Sequence, residues 1–263
     1  NLFFGTGECW GNFDAVRGLG IWRSTDGGVS WEQMPPMTPA GSPCINKLLF
    51  DGTGNLLAAT TNGLLQFDPM TGNWPVILDN GTFAGNDFVC DVELAANGDL
   101  YAATLTDDVY RSTDNGATWN PVNTGLPTSG FGRIELACAP GNASVVYAIY
   151  ADIASGTSGN CLSIHQTTNS GMNWTSGTCP GNFGGQAWYD LILAVDPNNA
   201  NRVWAGGVGI SVSSDGGSSW TNLSGIHADH HAIVYYTGDS DEILFGNDGG
   251  VYKSYDGSNA MPT

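Results

Sequence analysis

The sequence predicts an all-β propeller of four-stranded sheets. Three observations predict it: a turn-rich aromatic composition, an eight-residue motif that recurs along the chain, and a spacing between copies that fits four short strands and their turns. The 263 residues include 38 Gly, 12 Pro, 9 Trp, 9 Tyr and 10 Phe, while only 12% are charged. That usage suits many short strands joined by tight turns, and no long helix is expected.

The motif reads Ser24-Thr-Asp-Gly-Gly-Val-Ser-Trp31, Ser112-Thr-Asp-Asn-Gly-Ala-Thr-Trp119, Thr167-Thr-Asn-Ser-Gly-Met-Asn-Trp174 and Ser213-Ser-Asp-Gly-Gly-Ser-Ser-Trp220. A worn copy, Phe67-Asp-Pro-Met-Thr-Gly-Asn-Trp74, keeps the Asp, Gly and Trp, and a last copy opens at Ser254-Tyr-Asp-Gly257. Such a pattern reads as a hairpin turn: the Asp accepts from following backbone N–H groups, the Gly supplies positive φ, and the Trp packs between adjacent sheets. The residues at its Asp position, Asp26, Asp68, Asp114, Asn169, Asp215 and Asp256, are therefore structural. They stand 42, 46, 55, 46 and 41 residues apart, the length of one propeller blade.

Each interval parses into four strands. In the third blade these are Phe88 to Ala95, Leu100 to Thr104, Val109 to Ser112 and Trp119 to Val122, and Ile45 to Phe50, Ile134 to Ala139 and Leu191 to Val195 are inner strands of the second, fourth and fifth. The whole chain reads as one domain with blades at roughly 1–40, 41–80, 81–125, 126–180, 181–225 and 226–263. The first blade starts at its second strand, Leu2 to Gly5, and the sixth stops inside its motif, with Met261-Pro-Thr263 offering no strand. The expectation is a truncated piece of a ring with seven or more blades.

The motif is that of the Asp-box, or BNR repeat, and the chain resembles the Asp-box propellers of the sialidase-like superfamily along its length. The run Gly184-Gly-Gln-Ala-Trp-Tyr-Asp190, Asp196-Pro-Asn-Asn, Gly206-Gly, His227-Ala-Asp-His-His231 and Gly246-Asn-Asp-Gly-Gly-Val-Tyr252 is similar to secreted bacterial Asp-box proteins, many of which carry a type IX secretion sorting domain. That resemblance implies an exported protein and assigns no activity. True sialidases also use an arginine triad and a Phe/Tyr-Arg-Ile-Pro motif. This sequence has no such motif, and only Arg17, Arg133 and Arg202 stand away from the outer strands.

Charge and cysteines narrow the partners. Seven Lys and Arg against 25 Asp and Glu give a net charge of -18, which disfavours nucleic acid and anionic membrane surfaces. No apolar run is long enough to insert in a membrane, and the first residues lack the features of a signal peptide. The six cysteines match no zinc spacing, and an even count fits disulfides in an extracellular or cell-surface protein. Cys9 is expected to bond Cys44 and Cys161 to bond Cys179, because each pair falls in loops of the same or adjacent blades and ties down Gly-rich excursions. Cys90 and Cys138 lie inside apolar strands. Sequons stand at Asn80, Asn142, Asn173 and Asn222.

Functional side chains belong at the starts of inner strands and in the loops between second and third strands, on the face opposite the motif turns. There the chain places Arg133, Trp188, Tyr189 and Asp190 as ligand-binding candidates, with Trp10, Phe13 and Phe131 as further stacking surfaces. His227-Ala-Asp-His-His231 holds three of the four histidines. Period-two alternation would turn His227, Asp229 and His231 to one side as half of a divalent-metal site, which Asp190 and Asp248 could complete. No cofactor is required by anything else in the sequence.

Three functions fit. The favoured one is a non-catalytic secreted propeller that binds a glycan or an extracellular protein. The second is a glycoside hydrolase of the sialidase or xyloglucanase type, with catalytic carboxylates drawn from Asp190 with Asp229 or Asp87. The third is a structural unit of a larger extracellular assembly, joined to further domains or subunits.

Overall fold

The computed structural model describes residues 1–10, 15–37, 42–78, 88–105, 109–152 and 159–257, with the strand Met261–Pro262. Among them every regular element is a strand, so the fold is all-β. The strands form six antiparallel sheets, and within each the strands neighbour one another in chain order, the meander of a propeller blade. The first sheet is Leu2–Gly5, Ile21–Ser24 and Glu32–Gln33; the second is Ile45–Phe50, Leu56–Thr60, Gly63–Gln66 and Val76–Leu78. The third is Val89–Leu94, Leu100–Thr104, Val109–Ser112 and Asn120–Pro121, and the fourth is Phe131–Cys138, Val146–Asp152, Cys161–Thr167 and Thr175–Ser176. The fifth is Ile192–Val195, Val203–Gly206, Ile210–Ser213 and Thr221–Asn222, and the sixth is His230–Tyr235, Ile243–Asn247, Gly250–Ser254 and Met261–Pro262.

The strand boundaries read from sequence agree to within about three residues, with one correction. Met261–Pro262 pairs with Tyr252 and Lys253 and completes the sixth sheet, where the sequence suggested no strand. Two residues suffice because the last strand is that short in sheets one, three, four and five as well, its role being to cap the edge of the strand before it.

Contacts group the chain into two compact units: Asn1–Leu94 with Gly98–Leu105 and Tyr110–Asn120, carrying the first three sheets, and Ala95–Asn97 with Thr106–Val109 and Pro121–Thr263, carrying the last three. In the first unit Leu57, Ala59, Leu64 and Leu78 of the second sheet pack on Val89, Val92, Leu100 and Ala102 of the third. In the second unit Ile149, Ala151 and Ile164 of the fourth sheet meet Ala205 of the fifth and Leu191 just before it, and Trp204 and Ile210 meet Ile243 and Phe245 of the sixth. The Trp204 and Phe245 rings are edge to face with centroids 5.2 Å apart. These sheets are apolar on both faces because each middle strand is sandwiched between two neighbours.

The repeated motif makes one turn several times over. The Ser24 hydroxyl donates to Asp26 Oδ1 at 2.8 Å and accepts the Gly28 N–H at 2.8 Å, while Asp26 accepts the Ser30 N–H and hydroxyl at 3.0 and 2.6 Å. Ser112, Asp114, Gly116 and Thr118 repeat this, as do Ser213, Asp215, Gly217 and Ser219. Both residues after the acceptor are left-handed: φ is 77° and 95° at Gly27 and Gly28, 56° and 86° at Asn115 and Gly116, and 58° and 85° at Ser170 and Gly171. Asp68 holds the Met70 N–H and the Thr71 hydroxyl, and Ser254 donates to Asp256 at 3.2 Å. Hydrogen bonds to the ionised form keep the carboxyls of Asp26, Asp68, Asp114 and Asp215 acidic. The Ser30 hydroxyl lowers Asp26 most, the Thr118 hydroxyl Asp114, and the Ser219 hydroxyl holds Asp215 down to about 2.

The Trp positions are less uniform than expected. Trp74 and Trp174 are buried and donate their indole N–H to remote carbonyls, Pro35 at 3.1 Å and Val122 at 2.6 Å. Trp119 and Trp220 were expected as inter-sheet core but are half-buried. Trp31 is exposed, and like Trp119 it bonds back to its own turn, at Gly28 and Gly116. Both expected disulfides form, Cys9–Cys44 in the first unit and Cys161–Cys179 in the second. Closing loops of 35 and 18 residues stabilises by about 3–4 kcal/mol each on the chain-entropy account. Cys90 is buried and Cys138 half-buried.

Two outcomes follow from these turns. Trp174→Ala should lower unfolding free energy by about 3–5 kcal/mol, as for a buried Trp, and Trp31→Ala by less than about 1; denaturant titration of both variants measures this, and equal losses would contradict the assignment. Asp215 has a depressed folded pKa, so its contribution is complete above the unfolded carboxylate value and is lost as pH falls toward 2. Asp215→Asn should therefore flatten the decline of thermal midpoint between pH 4 and pH 2 relative to the parent chain.

Candidate functional site

The candidate residues converge in the second unit, where two strand starts and one hairpin meet. Trp188, Tyr189 and Asp190 precede Ile192–Val195, residues 227–229 precede His230–Tyr235, and Asp248 sits in the turn from Ile243–Asn247 to Gly250–Ser254. Backbone bonds join them: the Asp229 and His230 N–H groups donate to Val208 and Gly207 at 3.0 Å each, and the Asp248 N–H donates to Asp229 at 3.2 Å. Gly249 is required here, since a Cβ on it would lie 2.5 Å from His227 Cβ.

Asp190 is the centre of the cluster. It is 1% exposed, and neither carboxylate oxygen has a hydrogen-bond partner. Burial raises its pKa most, the Asp229 and Asp248 charges add to the rise, His231 opposes it, and the result is about 6. His231 lies between two carboxylates, with Nδ1 3.7 Å from Asp190 Oδ1 and Nε2 2.9 Å from Asp248 Oδ1. Asp248 is exposed, so the imidazole links a buried carboxyl to one in solvent. Tyr189 stands edge to face with His231 at 5.5 Å and tilted against Trp188 at 5.5 Å, which makes a half-buried aromatic shelf beside the carboxyl.

Several expected residues take other roles. Arg133 donates to the carbonyls of Tyr189 and Leu191, the latter at 3.0 Å, and pairs with Glu135 at 3.3 Å; it fixes the segment that carries the shelf and is committed to protein groups. Arg202 pairs with Asp196 at 3.2 Å and donates to Ser240 and Gly257 carbonyls. Phe131 is buried against Tyr150, and Trp10 lies against Phe88 with centroids 4.9 Å apart. Phe13, Asp87 and the Asn80 sequon fall outside the described residues.

The metal half-site does not assemble as alternation suggested. Asp229 has φ 62° and a bulge follows between His230 and Ala232, so residues 227–231 are not one extended strand and their side chains do not alternate. The exposed His227 sets Nδ1 3.0 Å from the Ala228 carbonyl, whereas His230, expected on the opposite side, is buried. Burial, aided by the neighbouring His231, lowers the His230 pKa to about 4, and the ring is neutral at physiological pH. Among the described residues no group of three or more His, Cys, Asp or Glu side chains is arranged to hold a metal ion.

The sequence passed over a second buried ionic cluster, in the first unit. Lys47 lies 3.1 Å from the buried Asp91 and 2.7 Å from Glu93, whose pKa is raised by burial more than Lys47 lowers it. The signal was present as charged residues inside apolar inner strands, Ile45–Phe50 and Val89–Leu94.

Comparison with known proteins establishes the fold. No family model matches the sequence. A xyloglucanase from a Paenibacillus species is 25% identical over 224 residues, 80% of this chain and 19% of that enzyme. The crystal structure of a GH74 xyloglucanase from Xanthomonas campestris superposes with a TM-score of 0.66 at 20% identity, over 99% of this chain and 44% of that one. YCF48 from Cyanidioschyzon merolae gives 0.60 at 17% identity, over 91% and 79%. The fold is thus a β-propeller, here with six blades. The chain spans about a fifth of the curated relative and less than half of the Xanthomonas enzyme.

The elevated Asp190 pKa has a consequence for stability. Its folded value of about 6 lies above that of an unfolded carboxyl, so its contribution is complete below about pH 4 and is lost as pH rises through 6. Asp190→Asn should therefore gain thermal midpoint over the parent chain at pH 7 relative to pH 4; a difference that does not change with pH would contradict the raised pKa of this buried carboxyl.

Proposed function

We propose that this chain is the propeller part of a secreted glycoside hydrolase acting on a β-linked glucan of the xyloglucan class, with Asp190 as the proton-donating carboxyl. The observation that carries the reading is Asp190 itself, a buried carboxyl with no hydrogen-bond partner and a pKa of about 6, set beside the Trp188 and Tyr189 rings. Glycoside cleavage needs one carboxyl that keeps its proton at working pH and a second, ionised carboxylate to activate water or attack the sugar. Asp248, in solvent at the other nitrogen of His231, is the candidate for the second role. Aromatic faces bind the apolar faces of sugar rings.

The likeness to xyloglucanases supports hydrolysis over the non-catalytic binding module that the sequence favoured. Two disulfides support export, and the turn motif supports a place among Asp-box propellers.

Reducing-end release from xyloglucan and from unsubstituted β-glucan, measured between pH 4 and 8, tests the proposal. The expected result is release that declines above about pH 6 and falls at least about 100-fold in Asp190→Asn. Oligosaccharide binding by calorimetry without release would return the chain to the binding reading, and absence of both would remove the glycan reading.

A further inference from the structure

Asp190 has no direct contact with water, so its proton must come and go through a neighbouring side chain. Its own side chain is 1% exposed and both carboxyl oxygens are covered. The titratable groups that face it are His231, Asp229 and Asp248. His231 carries a path on both sides: its side chain is 38% exposed, Nδ1 stands 3.7 Å from Asp190 Oδ1, and Nε2 stands 2.9 Å from Oδ1 of Asp248, which is 58% exposed. The other imidazoles of the segment are placed differently. Burial keeps His230 neutral, and His227 turns Nδ1 to the Ala228 carbonyl.

A bulge puts His231 there. In the sixth sheet His230 pairs with Asn247 and Ala232 with Gly246, so His231 is passed over on the neighbouring strand. A bulge re-aims the side chain it frees. The same irregularity recurs in the first strand of the second, third and fourth sheets, where the residue passed over is Asn46, Cys90 and Gly132. The bulge thus belongs to the repeat, and of these four sheets the sixth alone fills it with an imidazole. The edge-to-face contact with Tyr189 at 5.5 Å orients the ring, and the main-chain bonds of Asp229, His230 and Asp248 hold its surroundings. Both ring nitrogens face carboxyl oxygens, so in either neutral tautomer one nitrogen donates while the other is open to receive.

We propose that His231 is the proton conduit of Asp190, passing protons between the buried carboxyl and the solvent side at Asp248. A proton from Asp248 or from water adds to Nε2, the Nδ1 proton passes to Asp190 Oδ1, and the ring is left neutral with its proton on Nε2. Water at the exposed edge of the ring returns the starting tautomer, and the reverse sequence unloads Asp190. The 3.7 Å separation must close by about 1 Å for the transfer, as contacts of this kind do when a site is in use. Only the purpose of the proton rests on the proposed hydrolase: there, an Asp190 that has protonated a leaving oxygen is reloaded by this route.

Carbon NMR of the Asp190 carboxyl in the full 263-residue chain, assigned by its loss in Asp190→Asn, tests the conduit without a substrate. Each form is held at its own Asp190 midpoint, which removes the effect of the missing His231 charge, and exchange between protonated and ionised carboxyl is read from the line shape. Exchange should slow by about 10-fold or more in His231→Gln, whose amide still meets both carboxyls but carries no titratable proton, because Asp190 then meets water only through local opening. His231→Ala should be as slow, and added imidazole should restore its exchange in proportion to concentration. Asp229→Asn should exchange like the parent chain. Parent-like exchange in a folded His231→Gln would overturn the proposal, as would a His231→Ala that imidazole does not restore, and slowing confined to Asp229→Asn would assign the route to Asp229. If His231→Ala does not fold, His231→Gln decides alone. Absence of glycan cleavage in every form would end the hydrolase reading and leave the exchange result standing, whereas cleavage with parent-like exchange in His231→Gln would keep the hydrolase and remove the conduit.

Discussion

The structure depends on one small arrangement, a Ser or Thr hydroxyl that donates to an Asp oxygen and accepts the amide N–H two residues beyond that Asp. At Ser213 and Asp215 these bonds are 2.7 and 2.8 Å long. Gly216 and Gly217, the two residues after Asp215, carry positive φ, which glycine adopts at little cost, and the hydroxyl takes the Gly217 N–H while the carboxylate takes those of Ser218 and Ser219. Once the turn is fixed, so are the register of the third and fourth strands and the position from which the motif Trp can reach a neighbour. Asn169 shows how little of the negative charge this requires. It accepts the Thr167 hydroxyl at 2.9 Å and the Asn173 N–H at 3.0 Å with an amide oxygen, and the turn is the same.

The cluster around Asp190 is built at strand starts and a hairpin tip, away from the motif turns. Asp190 and His231 belong to the starts of adjacent inner strands and Asp248 to a hairpin tip, all held by main-chain bonds among Asp229, His230, Val208 and Gly207. Arg133 donates its guanidinium N–H groups to the carbonyls of Tyr189 and Leu191, so a side chain costly to bury places the segment that holds Asp190. The electrostatic result is a carboxyl surrounded by other carboxylates and one imidazole, inside a chain whose net charge is -18. Such a carboxyl holds its proton to a higher pH, about 6, because losing it would add a further buried charge to a negative environment.

The sequence by itself determined the architecture. The motif at its spacing of 41 to 55 residues specified four short strands per repeat, and the strands found at Ile45–Phe50, Leu100–Thr104 and Val109–Ser112 have the bounds read from the pattern. It also determined both disulfide pairs, because loop membership follows directly from strand order. Such features are local or periodic, and local chemistry is written in consecutive residues.

What only the tertiary structure decided are the roles of single side chains at junctions. Arg133 read as a ligand-binding group until its distance to carbonyls 56 and 58 residues away was known. His227, Asp229 and His231 read as a metal half-site by alternation, which failed because one left-handed residue and a bulge reset the direction of the chain. Trp174 is buried while Trp31, in a motif of the same pattern, is exposed, since burial depends on what the neighbouring sheet supplies and not on the turn. The pKa of Asp190 belongs to the same kind: it is set by burial and by residues 39 to 58 positions further along, and no inspection of Trp188-Tyr-Asp190 alone could have supplied it.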